Sequence, residues 1–151
     1  ATNAPPQNMV AKALLSYQHK CCASPKYLQE YGSPESPEDL KHHQCLHAPD
    51  QSYWQFKKHN IAPKGWITLN DNHALKNEAI LGRGIVRLPE YAIDREIAEG
   101  KLSYVLEKDC ISGQTIFIIH PQLIHQSARL KAFIAFTQQW FKNLKRCSAV
   151  E

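Results

Sequence analysis

The 151-residue sequence carries a formal net charge of +4, and it has no apolar run near the roughly 18 residues a membrane helix needs. That length suits one ordinary domain burying about two-thirds of its unfolded surface. The mild positive charge favours small anions and excludes the basic stripe of a dedicated nucleic-acid binder.

Ala1–Val10 is polar and proline-bearing, unlike a signal peptide. Five cysteines with no repeated spacing read as buried thiols of a reduced cytosolic protein. Met9–Leu15 is a strand and Tyr17–Ala23 a second extended run. Ser24 caps a helix over Pro25–Tyr31, with Pro25 at its first position and Gly32 closing it. Ser36, Pro37 and Asp39 set a capping box at the start of a further short helix. Gln44–His47 is a strand, and Tyr53–Lys57 alternates large and polar residues, which buries one face.

Trp66–Leu69, a helix capped by Asn72, the turn Gly82-Arg83-Gly84 and the strand Ile85–Leu88 form a βαβ unit with parallel strands. Pro89 ends that strand. A helix follows over Glu90–Glu99, stopped by Gly100, and then strands over Leu102–Leu106 and Thr115–Ile119. The last element is a helix with Leu130, Phe133, Ile134, Thr137, Phe141 and Leu144 on one face.

Ligands of open α/β sheets sit beyond the carboxyl ends of the strands, near helix N-termini. Asn70 and Asn72 fall there, and their amides can donate and accept. For Asn72, capping alone is the competing role. Ser24, with the backbone N–H groups after Pro25, offers a similar site, again in competition with simple capping. Gly82, Gly84 and Pro89 are backbone-geometry residues. His43, Cys45 and His47 share a strand face, as zinc ligands would, but three ligands in one strand splay poorly into a tetrahedron, so no metal is assigned. No nucleophile–base pairing or catalytic motif is present, so the chain reads as non-catalytic and without a cofactor.

Several ordered motifs now combine. They are Cys22-Ala-Ser-Pro-Lys-Tyr-Leu28, Tyr31-Gly-Ser-Pro34, Pro37-Glu-Asp-Leu40, His43-Gln-Cys-Leu46, Gly82–Tyr91, Glu96–Leu102 and Phe133–Phe141. Together they resemble the effector-binding domain of LysR-type transcriptional regulators, from about Met9 to Phe141. The resemblance implies a type II periplasmic-binding-protein-like α/β fold of two subdomains with an effector cleft between them. It implies that residues 1–16 are a remnant of the first subdomain and 17–120 the second. Residues 121–151 then return to the first with its C-terminal helix, and about half of that subdomain lies outside this sequence. A small anionic metabolite would meet Ser24, Asn70, Asn72 and His120. DNA would be held only by an absent N-terminal winged helix-turn-helix, in a homo-oligomeric bacterial regulator of the cytoplasm, with no membrane partner. The alternative is a free-standing solute-binding protein of the same fold.

Overall fold

The computed structural model describes residues 8–111, 113–122 and 127–147. In chain order they form β1 (Met9–Tyr17), β2 (His19–Ala23), α1 (Pro25–Tyr31), β3 (Cys45–Leu46), β4 (Trp54–Gln55), β5 (Asn60–Ile61), α2 (Asn72–Ile80), β6 (Ile85–Pro89), α3 (Asp94–Ala98), β7 (Ser103–Val105), β8 (Gln114–Pro121) and α4 (Ala128–Cys147). Short 3-10 turns occupy Pro37–His42, Glu90–Ala92 and Glu107–Asp109. The chain divides into two compact units. One runs from Gln18 to Gly113, and the other joins the residues up to Tyr17 to those from Gln114 onward.

The Gln18–Gly113 unit is built on a four-stranded sheet in the order β3-β6-β2-β7. β2 runs antiparallel to both neighbours, and β3 runs parallel to β6. Side chains alternate across a strand, so Cys21 and Cys22 enter different cores. Cys21, Ala23, Cys45, Ile85 and Val105 pack with Tyr27, Leu40, Trp54, Phe56 and Ile61 on one face. Cys22, Leu46, Val86 and Leu88 pack with Leu75, Ala79, Ile93 and Leu102 on the other. β6 is covered on both faces, which explains its near-continuous apolar run. Each fully buried aliphatic side chain here contributes about 1.5–3 kcal/mol relative to exposure.

The parallel βαβ relation holds in reduced form. Trp66–Leu69 does not form a strand, and its trace is one parallel bridge, His47↔Thr68. Cys45 N–H donates to Lys64 O (2.8 Å) and Leu69 N–H to His47 O (3.1 Å), while Ile85 N–H donates to Gln44 O (2.8 Å) on the opposite edge. β3 therefore lies between the two, and the crossover through α2 steps over it. Trp66 and Thr68 stay exposed at the sheet edge, so only Ile67 and Leu69 gain from packing.

The helix expected over Glu90–Glu99 is two pieces. The 3-10 turn ends at Ile93 (φ −127°, ψ −8°), which lies fully buried in the second core, and α3 starts afterwards. Seating Ile93 in the core breaks the helical run. The element after Ser36 is likewise a 3-10 turn, but its box forms: Asp39 Oδ2 accepts from the Ser36 N–H (2.8 Å) and the Glu35 N–H (3.0 Å).

In the other unit β8 pairs antiparallel with β1 from Met9↔Pro121 to Tyr17↔Gln114, with a register shift between Ala13 and Leu15. β8 thus groups with β1, although the sequence reading placed residues as far as His120 in the second subdomain. α4 packs against β1. Ile134 is buried and Leu130, Thr137 and Phe141 are half-buried, whereas Phe133, expected on that face, is 59% exposed beside Phe136 and Trp140. The side chain of Leu144 lies outside the described residues.

Candidate functional site

The start of α2 differs from expectation in one residue. Its N-cap is Asp71, whose Oδ1 accepts from the His73 N–H (2.6 Å) and the Ala74 N–H (3.1 Å). Those bonds, that from Ala74 foremost, hold its carboxyl below the usual carboxylate range. Asn72 is the first helical residue instead. Aspartate wins because a charged acceptor suits the positive end of a helix better than an amide. Two consequences follow. The side chains of Asn70 and Asn72 are exposed and make no hydrogen bond among the described residues. The helix terminus itself carries a carboxylate on its free donors, which removes its pull on a second anion.

Ser24 is 3% exposed. Its Oγ accepts from the Tyr27 N–H (3.2 Å), and α1 begins with Pro25 as expected. Gly82, at φ +80°, brings its backbone beside this cap, where a Cβ would sit 3.5 Å from Ser24 Oγ. Gly84 has a different reason: a Cβ there would lie 2.5 Å from Gln44 O and 2.9 Å from Leu46 Cγ. Pro89 is buried at the end of β6, opposite His19. Gly65 was not singled out by its sequence context, yet a Cβ would meet Cys45 O at 2.3 Å.

His120 stands on β8 in the other unit and is 5% exposed. Its Nδ1 lies 2.9 Å from Pro121 O, so Nδ1–H is the donor and Nε2 is left as an acceptor. Nε2 is buried and has no partner among the described residues. A buried acceptor of this kind gains from a donor brought by a ligand or water. Ser24, Asn70 and Asn72 share the Gln18–Gly113 unit, and no hydrogen bond links Ser24 to either asparagine.

The histidine and cysteine strand disperses. Tyr27 Oη accepts from the Gln44 N–H (3.0 Å) and shares a hydrogen bond with His43 Nδ1 (3.1 Å). Burial lowers the His43 pKa, which favours its neutral ring. Cys45 Sγ faces Leu40 O (3.5 Å), and His47 Nδ1 faces Ala48 O (3.0 Å). Among the described residues no group of three or more His, Cys, Asp and Glu side chains is placed to hold a metal ion. Burial pushes the Cys22 thiol up to about 12 and Cys45 up to about 11, with Cys21 also raised, so these sulfurs are poor nucleophiles.

Two polar features had no sequence signal. Lys76 Nζ reaches Glu96 Oε1 (2.6 Å) and Ala92 O (3.1 Å) with both side chains nearly buried, tying α2 to α3. Arg87 is half-buried on β6 and donates to Gln55 O (3.3 Å). Burial, and then the Arg87 charge, lower the pKa of His19 to about 4.

Residues 1–142 match the family model described as the LysR substrate binding domain. The chain belongs to this LysR family. It is 31% identical over 140 residues to the HTH-type transcriptional regulator CrgA of Neisseria meningitidis serogroup B, covering 83% of this chain and 44% of that protein. It is 25% identical over 143 residues to the HTH-type transcriptional activator TtdR of Escherichia coli, covering 89% of this chain and 46% of that protein. The chain thus spans about half the length of the curated relatives it matches. The regulatory domain of CrgA superposes with a TM-score of 0.78 at 27% identity, covering 93% of this chain and 72% of that one. Full-length AphB of Vibrio cholerae, at 21% identity, shares the fold with a TM-score of 0.81 over 91% of this chain and 50% of its own. The LysR chain has the type II periplasmic-binding-protein-like α/β fold of these regulatory domains. Its relatives are transcriptional regulators, and no helix among the described residues is long and apolar enough to cross a membrane.

Proposed function

We propose that this chain senses a small polar metabolite and modulates transcription as the effector-binding part of a LysR-type regulator. The family match over residues 1–142 carries the reading. The relatives are named as transcriptional regulators, which favours a regulator over a free-standing solute-binding protein. DNA binding belongs to a helix-turn-helix elsewhere in the regulator, the assembly is a homo-oligomer, and the protein works in the cytoplasm without catalysing a reaction.

The contact residues proposed are Ser24, Asn70, Asn72 and His120. Support comes from the two exposed, unpaired amides and from the buried acceptor at His120 Nε2. Asp71 at the α2 terminus argues against choosing a ligand by negative charge alone, so hydrogen-bonding capacity comes first. The mechanism is differential affinity: an effector that prefers one arrangement of the regulator shifts it by that preference and no more. A thermal-shift screen of the full regulator against metabolites tests this. A ligand that raises Tm in the parent and loses at least about tenfold in affinity in Asn72→Ala or His120→Ala supports the assignment, since one lost hydrogen bond to a buried partner costs about 1–3 kcal/mol. A ligand bound equally by all variants would remove these residues from the site.

A further inference from the structure

We infer that the hollow between the Pro37–His42 turn and the segment from β5 to Lys64 binds a phosphate-bearing small molecule, held by Lys41, Lys58 and Lys64. The hollow has a volume of about 570 Å³, within the usual range for small-molecule sites. A second hollow of about 360 Å³ adjoins it and shares Lys41 and Lys64 in its lining.

Charge distinguishes this concavity. Three lysines converge on it, and Glu38 is the one acid in its lining. Glu38 Oε1 is engaged by His59 Nδ1 at 2.5 Å. Lys41, Lys58 and Lys64 have no ion pair or hydrogen bond from their side chains among the described residues. The unit as a whole is not basic: from Gln18 to Gly113 it carries twelve Lys and Arg against thirteen Asp and Glu. The excess is therefore local. Like charges gathered around one space repel, and a bound polyanion relieves that repulsion.

The walls are preformed. The Glu38–His59 pair ties the 3-10 turn to the hairpin of β4 and β5. Leu40 and Ile61 pack in the core beneath them. The backbone at Lys64 is pinned to β3 by the Cys45 N–H (2.8 Å). Ligand binding then orders lysine side chains and little backbone, which keeps the entropic penalty small. Ammonium groups act as point charges, and three of them around one space suit the concentrated negative charge of a phosphate or pyrophosphate group. A duplex would need a ridge or stripe of cations along one face rather than three lysines around one concavity.

Titration of the full chain with inorganic pyrophosphate, followed by calorimetry and amide NMR, tests the inference. At low ionic strength, where exposed charges act at full range, the expected result is saturable 1:1 binding with shifts at Lys41, Asn60 and Lys64. Lys58→Glu and Lys64→Glu each weaken it at least about tenfold, as does removal of one charge-assisted contact. Lys57→Glu makes the same charge change next door but outside the lining, because Lys57 Nζ donates to Lys108 O (2.6 Å). It should alter affinity less than about twofold, the residue of screened long-range charge. Lys58→Gln, with an unchanged melting curve, repeats the test without charge reversal. The inference is overturned by absent saturation, by shifts elsewhere, by equal losses in the Lys57 and Lys58 variants, or by equal affinity for citrate. Displacement of pyrophosphate by a short DNA duplex would assign the face to nucleic acid instead.

Discussion

Replacing Lys76 by Met should destabilise the Gln18–Gly113 unit strongly. Lys76 Nζ sits 2.6 Å from Glu96 Oε1 and 3.1 Å from Ala92 O, and the two side chains keep only 10% and 14% of their exposure. Methionine fills similar volume, so packing changes little. What changes is that the Glu96 carboxylate loses its counter-charge while staying largely out of water. Breaking one partner of a buried pair costs about 3–5 kcal/mol, and the residual exposure of this pair argues for about 2–3. Replacing both, as Lys76→Met with Glu96→Leu, should recover most of that loss, because no orphan charge remains.

Burial alone would raise the Glu96 carboxyl, but the hydrogen bond and charge of Lys76 outweigh it and leave it below its ordinary value of 4.5. A depressed carboxylate adds stability above its unfolded pKa and loses it as pH falls through the folded value. The gap between parent and Lys76→Met should therefore be full at pH 7 and be smaller at about pH 4, because the orphaned carboxyl protonates first in the variant. Urea unfolding followed by far-UV circular dichroism at both pH values reads this directly. A Lys76→Met midpoint equal to the parent at pH 7, or a gap that widens in acid, would refute the reasoning.

Other outcomes follow from single contacts. Gly84→Ala and Gly65→Ala each place a methyl against backbone, at 2.5 Å and 2.3 Å from a carbonyl oxygen, and should each cost at least about 2 kcal/mol in denaturant melts. Tyr27→Phe removes the acceptor for the Gln44 N–H and should cost about 1–2 kcal/mol, whereas an unchanged midpoint would show that water replaces the hydroxyl. Asp71→Ala should lower Tm, and Asn72→Ala should leave it unchanged, since Asp71 is the cap. The thiols of Cys21, Cys22, Cys45 and Cys110 are buried and should resist a disulfide reagent in the native chain but react in urea. His19 should stay neutral to about pH 4, its NMR titration lying below the ordinary 6.5. Its unfolded form takes up the proton first, so this residue's contribution to stability falls as pH drops from 6.5 towards 4.

Local rules carried much of the fold into the sequence. Ser24-Pro25 and Gly32 bound α1 as their chemistry dictates, and the alternation of Trp54, Gln55 and Phe56 buried the two aromatics and exposed the amide between them. Local rules failed where tertiary contacts decided. Asn72 is a good cap by type, but Asp71 one residue earlier accepts the His73 and Ala74 N–H groups and starts the helix there. Ile93 sits in a helical pattern, yet the core takes its side chain at the expense of the helix. Ser24, Asn70, Asn72 and His120 are proposed as contact residues from position and resemblance. The Lys76–Glu96 pair and the lysine hollow were not legible in the sequence, because their members come from segments whose spacing carries no periodic signal.

The central claim is that metabolite binding here changes how a regulator holds DNA. The direct measurement is operator occupancy by the full regulator, by footprinting, with and without a metabolite that raises its Tm. The account predicts a changed footprint or affinity with the parent, and a response lost in the His120→Ala and Asn72→Ala variants while basal DNA binding persists. A metabolite that binds tightly and leaves the footprint unchanged, or a response untouched in both variants, would contradict it.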